Sequence, residues 1–243
     1  MIRTIAIVMA MGDEAAPVVA AFDARPVAVP AGRPHQWYLA TRGNLRVVVA
    51  VNGVDARFGV EGVGPEPAVM NTVATIERFA PDLVVSAGTA GGWVARGGEI
   101  GKVYLSYPHV VRHDRRIDID GYREFGVGRF PVVPMRAVAA AIGAEPGVVT
   151  TGGSLDETPE DARIMAELDA RTKEMEAASV AWVCETLHVP FVALKTITDL
   201  ADVPHGTVDQ FLANLHTASE RLTEHLVRFV DELAGKSLDD LDA

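Results

Sequence analysis

Two rhythms of apolar and polar positions alternate along this chain. Short unbroken apolar runs of strand length are separated by longer stretches with apolar residues at helical spacing. Thr4–Ala10 is apolar and β-branched, as suits a strand buried on both faces. Asp13–Phe22 places Val18, Val19 and Phe22 at helical spacing, with Pro17 tolerable only in a first turn. Trp37–Thr41 and Leu45–Val51 predict a hairpin around Arg42-Gly43-Asn44. Pro65–Phe79 predicts a helix, and Leu83–Ala87 a second buried strand running into the segment Gly88-Thr89-Ala90-Gly91-Gly92. Lys102–Tyr107 and His109–Arg112 read as extended, Pro134–Ile142 as helix, and Val148–Thr151 as a strand ending at Gly152-Gly153-Ser154. Helices over Glu157–Leu168 and Ala177–Leu187, a buried strand over Phe191–Thr196 and a long amphipathic helix over Val208–Leu233 complete the pattern.

Strand and helix in alternation predict an α/β fold, one domain with a central mixed β-sheet and helices on its faces. That domain is expected over residues 1–234, followed by an acidic, frayed tail over 235–243. In such sheets ligands bind beyond the carboxyl ends of the strands, so the residues after each apolar run carry the functional question.

Composition narrows the classes. The chain has 243 residues, 49% apolar and 23% charged, which excludes a largely disordered chain. Lys+Arg 22 against Asp+Glu 33 gives 22 − 33 = −11, and a net anion is repelled by nucleic-acid phosphates and anionic membranes. A lone cysteine, Cys184, rules out an intrachain disulfide and reads as core on a helix face. Seven histidines without HExxH-type spacing predict no metal site. The opening MIRTIAIVMAMGDE has an apolar run too short for a signal peptide core or a membrane span. A soluble, cytoplasmic protein is expected.

Carboxylates gather at the strand ends. Glu14 follows the first strand, Glu174 and Glu176 flank Met175 before the Ala177 helix, and Asp199 follows the Phe191 strand. Each has a bland reading. Glu14 suits a helix N-terminus, Glu174 or Glu176 can cap the following helix, Asp199 can be an N-cap, and the glycine segment can be a tight turn. The glycines lack both the Lys-Ser/Thr ending of a P-loop and the dinucleotide spacing. Convergence is the stronger signal, since several carboxylates at one sheet edge repel unless a ligand or shared protons use them. His113-Asp114-Arg115-Arg116 reads as a solvated loop or an interface.

Five segments, in order, resemble the methylthioadenosine nucleosidases of the nucleoside phosphorylase/hydrolase superfamily. They are Ala10–Glu14, Ser86–Gly92, Thr151–Asp156, Glu174–Ala181 and Val189–Asp202, and the likeness covers nearly the whole chain. His113–Ile117 and Thr207–Leu215 look closer to the plant-type branch than to the common bacterial one. The resemblance implies a central twisted sheet, a homodimer, no metal or organic cofactor, and hydrolysis of the N-glycosidic bond of 5′-thio-substituted adenosines. It implies that Glu14 activates the attacking water and Glu176 holds the ribose hydroxyls, with Met175 beside the sugar and Glu174 among the substrate-binding residues. Asp199 would serve adenine N7 with Thr198 next to it. Thr89, Ala90 and Gly91 would lie near water and sugar, Leu155 on the base, and the Asp156 backbone at the adenine edge. Three positions depart from the pattern: Gly12-Asp13 for a more acidic pair, Gly153 for an aspartate, and Val208 for an aromatic of the 5′ pocket.

The chemistry fits these residue types. Cleavage builds positive charge on the sugar and negative charge on the leaving base, so an acid at N7 and an anion with activated water near the sugar are the expected partners. Asp199 can hold a proton near pH 7 only if its pKa is raised from about 3.9. A phosphorylase would need cations for phosphate, and neither Met9–Phe22 nor Leu83–Val94 contains one. The leading expectation is release of adenine from 5′-methylthioadenosine, with S-adenosylhomocysteine or 5′-deoxyadenosine as further substrates. The alternatives are a related hydrolase or phosphorylase for another purine nucleoside, of futalosine type for example, or a nucleoside-binding protein without turnover.

Overall fold

The structure is a computed structural model and describes residues 1–204 and 206–242. Its elements in order are β1 (Thr4–Met9), α1 (Gly12–Ala21), β2 (Arg25–Val27), β3 (Gln36–Arg42), β4 (Leu45–Val51), α2 (Pro65–Phe79), β5 (Leu83–Gly92), β6 (Val103–Arg112), α3 (Tyr122–Val127), β7 (Phe130–Pro131), α4 (Arg136–Ile142), β8 (Glu145–Thr151), α5 (Pro159–Glu167), β9 (Ala170–Glu174), α6 (Ala177–Thr186), β10 (Phe191–Leu200) and α7 (Thr207–Leu233). Short 3₁₀ turns lie at Val94–Arg96 and Leu238–Asp240.

One mixed sheet runs in the order β10-β6-β8-β9-β5-β1-β4-β3-β2, and β10 pairs again with β5. The second pairing curls one half of the sheet into a closed circuit of β5, β10, β6, β8 and β9. Alternation along β1 shows why its run is apolar throughout. Ile5, Ile7 and Met9 pack with α1, α4 and α7, whereas Ala6 and Val8 pack with α2 and α6. Cys184 is fully buried in the second of these layers, as expected.

Four local expectations differ from the structure. The glycine segment after Ala87 is a continuation of β5, because β10 runs parallel beside it and pairs Gly88 with Lys195, Thr89 with Thr196 and Ala90 with Ile197. β9 is a strand although its sequence is ARTKE: it pairs with β8 and β5, and Thr172, Lys173 and Glu174 are buried there. Pro17 lies in the sixth position of α1, past the first turn, and buried Glu14, Ala15 and Val18 hold the helix despite the missing N–H. The C-terminal segment is docked: Ile2 N donates to Lys236 O at 3.0 Å, Leu241 is fully buried, and the Arg136 guanidinium pairs with Asp242 at 2.7 Å.

Candidate active site

Carboxyl ends of β1, β5 and β10 open on a cavity of about 350 Å³. Its wall includes Glu14, Thr89, Ala90, Gly91, Leu155, Glu174, Met175, Glu176, Thr198 and Asp199. Ten of the eleven residues singled out from the sequence therefore share one chamber. The eleventh, Asp156, is exposed and does not line it.

α1 delivers Glu14 from its first turn. Thr89 fixes one carboxylate oxygen, with its N–H at 2.8 Å and its hydroxyl at 2.5 Å from Oε1. Among the described residues no donor reaches Oε2, which leaves that oxygen for a ligand or water. Burial pushes the Glu14 pKa up, opposed by the Thr89 bonds and by Lys195. Gly12 serves this corner. Its N–H donates to Glu61 Oε1 at 3.0 Å, and a Cβ there would lie 3.0 Å from the same oxygen. Glu61 thus brings a carboxylate beside Gly12 from across the fold.

Asp199 stands at the opposite side. A β-bulge between Ile197 and Asp199 shifts β10 so that Asp199 registers with Gly91. The Thr198 hydroxyl donates to Asp199 Oδ1 at 2.9 Å, while Oδ2 is buried and has no hydrogen-bond partner among the described residues. Such an orphan is costly unless a ligand or a proton uses it. Gly91 is required here, because a Cβ would come within 2.7 Å of Oδ2. Burial pushes the Asp199 pKa up, Thr198 and Lys173 oppose it, and Glu157 adds to it. The segment after the bulge does not all face the cavity: Asp202 accepts from Val94 N at 2.8 Å and Ala95 N at 2.9 Å instead.

The two glutamates before α6 divide their work. Glu174 accepts the Ala177 N–H at 2.9 Å and the Glu176 N–H at 3.1 Å, receives the Thr151 hydroxyl, and pairs with Lys195 Nζ at 2.8 Å. It is the buried N-terminal anchor of α6. Glu176 takes one bond, from Gly64 N at 2.7 Å to Oε1, and faces the cavity. Burial and the neighbouring Glu174 raise the Glu176 pKa to about 7.

Sequence reasoning missed two lysines and an aromatic. Lys195 is 1% exposed and carries the positive charge among Glu14, Glu174 and Glu176; burial opposes that charge, yet the carboxylates hold its pKa above the usual value. Its signal was a lysine inside an apolar run buried on both faces. Lys173 lines the cavity beside Asp199. Phe211 lines it from α7, one turn beyond Val208, which is 52% exposed. Val208 departs from the aromatic of the bacterial branch, and Phe211, one turn along α7, brings an aromatic to the cavity wall. α7 is held there by Asn214 Nδ2 donating to Thr198 O at 3.0 Å and by Gln210 bridging the Leu200 backbone. The Gly153 N–H donates to Asp114 Oδ2 at 2.5 Å, so a neighbouring loop brings the aspartate absent at 153. His113, in a cluster expected as a solvated loop or an interface, is buried in the chain itself with Nδ1 at 3.0 Å from Thr150 Oγ1.

The family model of the phosphorylase superfamily matches residues 4–231 of this curled mixed α/β fold. The chain is 35% identical to the 5′-methylthioadenosine nucleosidase of Arabidopsis thaliana, covering 99% of this chain and 91% of that one. It is also 35% identical to the Arabidopsis thaliana 5′-methylthioadenosine/S-adenosylhomocysteine nucleosidase, covering 99% and 95%. The solved structure of Arabidopsis thaliana 5′-methylthioadenosine nucleosidase in apo form superposes with a TM-score of 0.96 at 34% identity, covering 99% of each chain. The chain belongs to the 5′-methylthioadenosine nucleosidase family within that superfamily.

Proposed function

We propose that this chain hydrolyses the N-glycosidic bond of 5′-methylthioadenosine, releasing adenine and the thioribose. The observation that carries the reading is the partnerless Oδ2 of buried Asp199, facing the same chamber as Glu14 and Glu176. Asp199, whose pKa burial raises, donates to the leaving base at N7. Glu176 accepts from the ribose hydroxyls, which orients the sugar and favours its developing cation. Glu14, fixed through Oε1, uses Oε2 to take a proton from water as it attacks the anomeric carbon. Leu155 and Phe211 supply apolar surface, Leu155 for the base and Phe211 for the 5′ alkylthio group.

Water is the nucleophile in this reading. Among the described residues no arginine lines the cavity, and both nearby lysines are occupied, Lys173 with Glu157 at 3.3 Å and Lys195 with Glu174 at 2.8 Å. Adenine release is expected at the same rate with and without inorganic phosphate. The panel is methylthioadenosine, S-adenosylhomocysteine, 5′-deoxyadenosine and futalosine; strict dependence on phosphate, or turnover of futalosine alone, defeats the proposal.

The reading extends to a cytoplasmic homodimer. Support for a dimer comes from a surface groove between α2 and α6, where Met70 and Trp182 remain 36% and 40% exposed beside Val69 and Phe125. Sedimentation equilibrium at micromolar concentration is expected to give twice 25.9 kDa, and a monomer mass counts against it. None of the helices among the described residues is long and apolar enough to cross a membrane.

A further inference from the structure

Between Gly153 and the cap of α5 the chain passes the cavity, with Leu155 in its wall. Thr158 closes a capping box with Asp161, and Gly153 is tied to Asp114. Of residues 154–157, only the Leu155 carbonyl has a hydrogen-bond partner among the described residues, the Lys173 ammonium at 3.2 Å. The same ammonium pairs with Glu157 at 3.3 Å. Lys173 therefore grips this loop twice, from a side chain only 7% exposed. Its stem and the acid both border Gly91: a Cβ there would be 3.1 Å from Lys173 Cε and 2.7 Å from Asp199 Oδ2. Strand pairing enforces the neighbourhood, since Gly91 is opposite Lys173 in β9 and level with Asp199 in β10.

We propose that Lys173 is a positioning residue that couples closure of the 154–157 loop over the cavity to the acid function of Asp199. The inference rests on the hydrolytic reading above. With the loop down, Leu155 lies against the ligand and Glu157 neutralises the ammonium, so Asp199 meets little free positive charge. With the loop lifted, the ammonium loses both partners and stands beside Asp199 alone, where it favours the carboxylate. The acid is thus charged with its proton when the base is covered. Glu14 and Glu176 line the same cavity and their pKa values are also raised, but neither contacts Lys173 or the 154–157 loop, so variants at Lys173 and Glu157 leave their surroundings unchanged. His113 lines the same recess, but burial holds its pKa below the usual value and keeps it neutral. Glu174 is committed to Lys195 and the α6 N-terminus, the Thr198 hydroxyl donates to Oδ1, and α7 presents the neutral Phe211.

The test is the pH profile of kcat/KM for methylthioadenosine in Glu157→Gln, Lys173→Met and Lys173→Arg. Loss of activity on the basic side reports deprotonation of Asp199. Glu157→Gln should move that limb to lower pH, because the ammonium is left unneutralised. Lys173→Met should move it to higher pH and raise KM about tenfold, the size of one charge-assisted bond to the loop. Lys173→Arg should restore both. A merely structural lysine would give no opposed shifts; limbs that stay put, or move together, overturn the inference. Should Lys173→Met fail to fold, Glu157→Gln on the loop decides alone. Wild-type protein that releases no adenine sinks the hydrolytic reading instead, and active wild type with unmoved limbs sinks only this one.

Discussion

Asp199→Asn is expected to lower kcat for methylthioadenosine by about 10²–10⁴, the span of general-acid help, equivalent to about 3–5 kcal/mol of barrier. The amide matches the carboxyl in shape and its carbonyl still accepts from Thr198, but it has no acidic proton to give. Loss should fall on kcat with KM nearly unchanged, since Oδ2 has no protein partner whose loss would disturb the wall. Stability should move the other way. Burial raises the folded-state pKa of Asp199 above its unfolded value, so the folded chain holds the proton more tightly. That contribution is present in acid and is lost as pH rises through the folded pKa. Asparagine removes the loss, so the variant should melt above wild type in mildly alkaline buffer and close to it in acid. Adenine release and thermal melts at two pH values check both halves. Turnover near the wild-type rate would take Asp199 out of the acid role.

The fold was legible where burial alone decides the residue type. β1, β4 and α2 lie where the apolar pattern puts them, α2 to the residue, because each is covered by helix or sheet on the faces its apolar residues occupy. It was illegible where function decides. β9 carries Lys173 and Glu174 into the site, so hydrophobic alternation cannot reveal it. β5 and β10 run on past their apolar stretches because they pair with each other, and pairing between distant segments leaves no local mark. The carboxylates were legible as a set, since acids after successive strands have a shared chemistry. Their division of labour was not. Glu174 and Glu176 are two residues apart, and only the turn into α6 sends one to the helix amides and the other to the cavity. Phe211 shows the limit of position matching, for a helix can present the same aromatic one turn along.

Lys195→Met is expected to be the most damaging single change to the buried network. The ammonium is 1% exposed and sits 2.8 Å from Glu174, with Glu14 and Glu176 close enough to feel it. Methionine fills similar volume, so packing is not the issue. What is lost is the counter-charge for several carboxylates that cannot reach water, and breaking a buried pair from one side costs about 3–5 kcal/mol. The carboxylates respond by holding protons more tightly. Even in wild type the folded pKa of Glu176 is raised to about 7 from 4.5, so ionising it above that range works against the fold. In the variant the raised values climb further. The folded chain then binds more protons than the unfolded chain between the unfolded carboxylate pKa and the new folded ones, and stability falls as pH rises across that window. Urea melts should show the variant least destabilised near pH 5 and most destabilised near pH 8. Activity should fall for a separate reason: without Lys195 the already raised Glu14 pKa climbs further, so less of the carboxylate is ionised to take a proton from water. Lys195→Arg retains the charge and should recover most of the stability. Equal destabilisation of the methionine variant at both pH values would mean that Lys195 fills space there and does not hold the acids ionised.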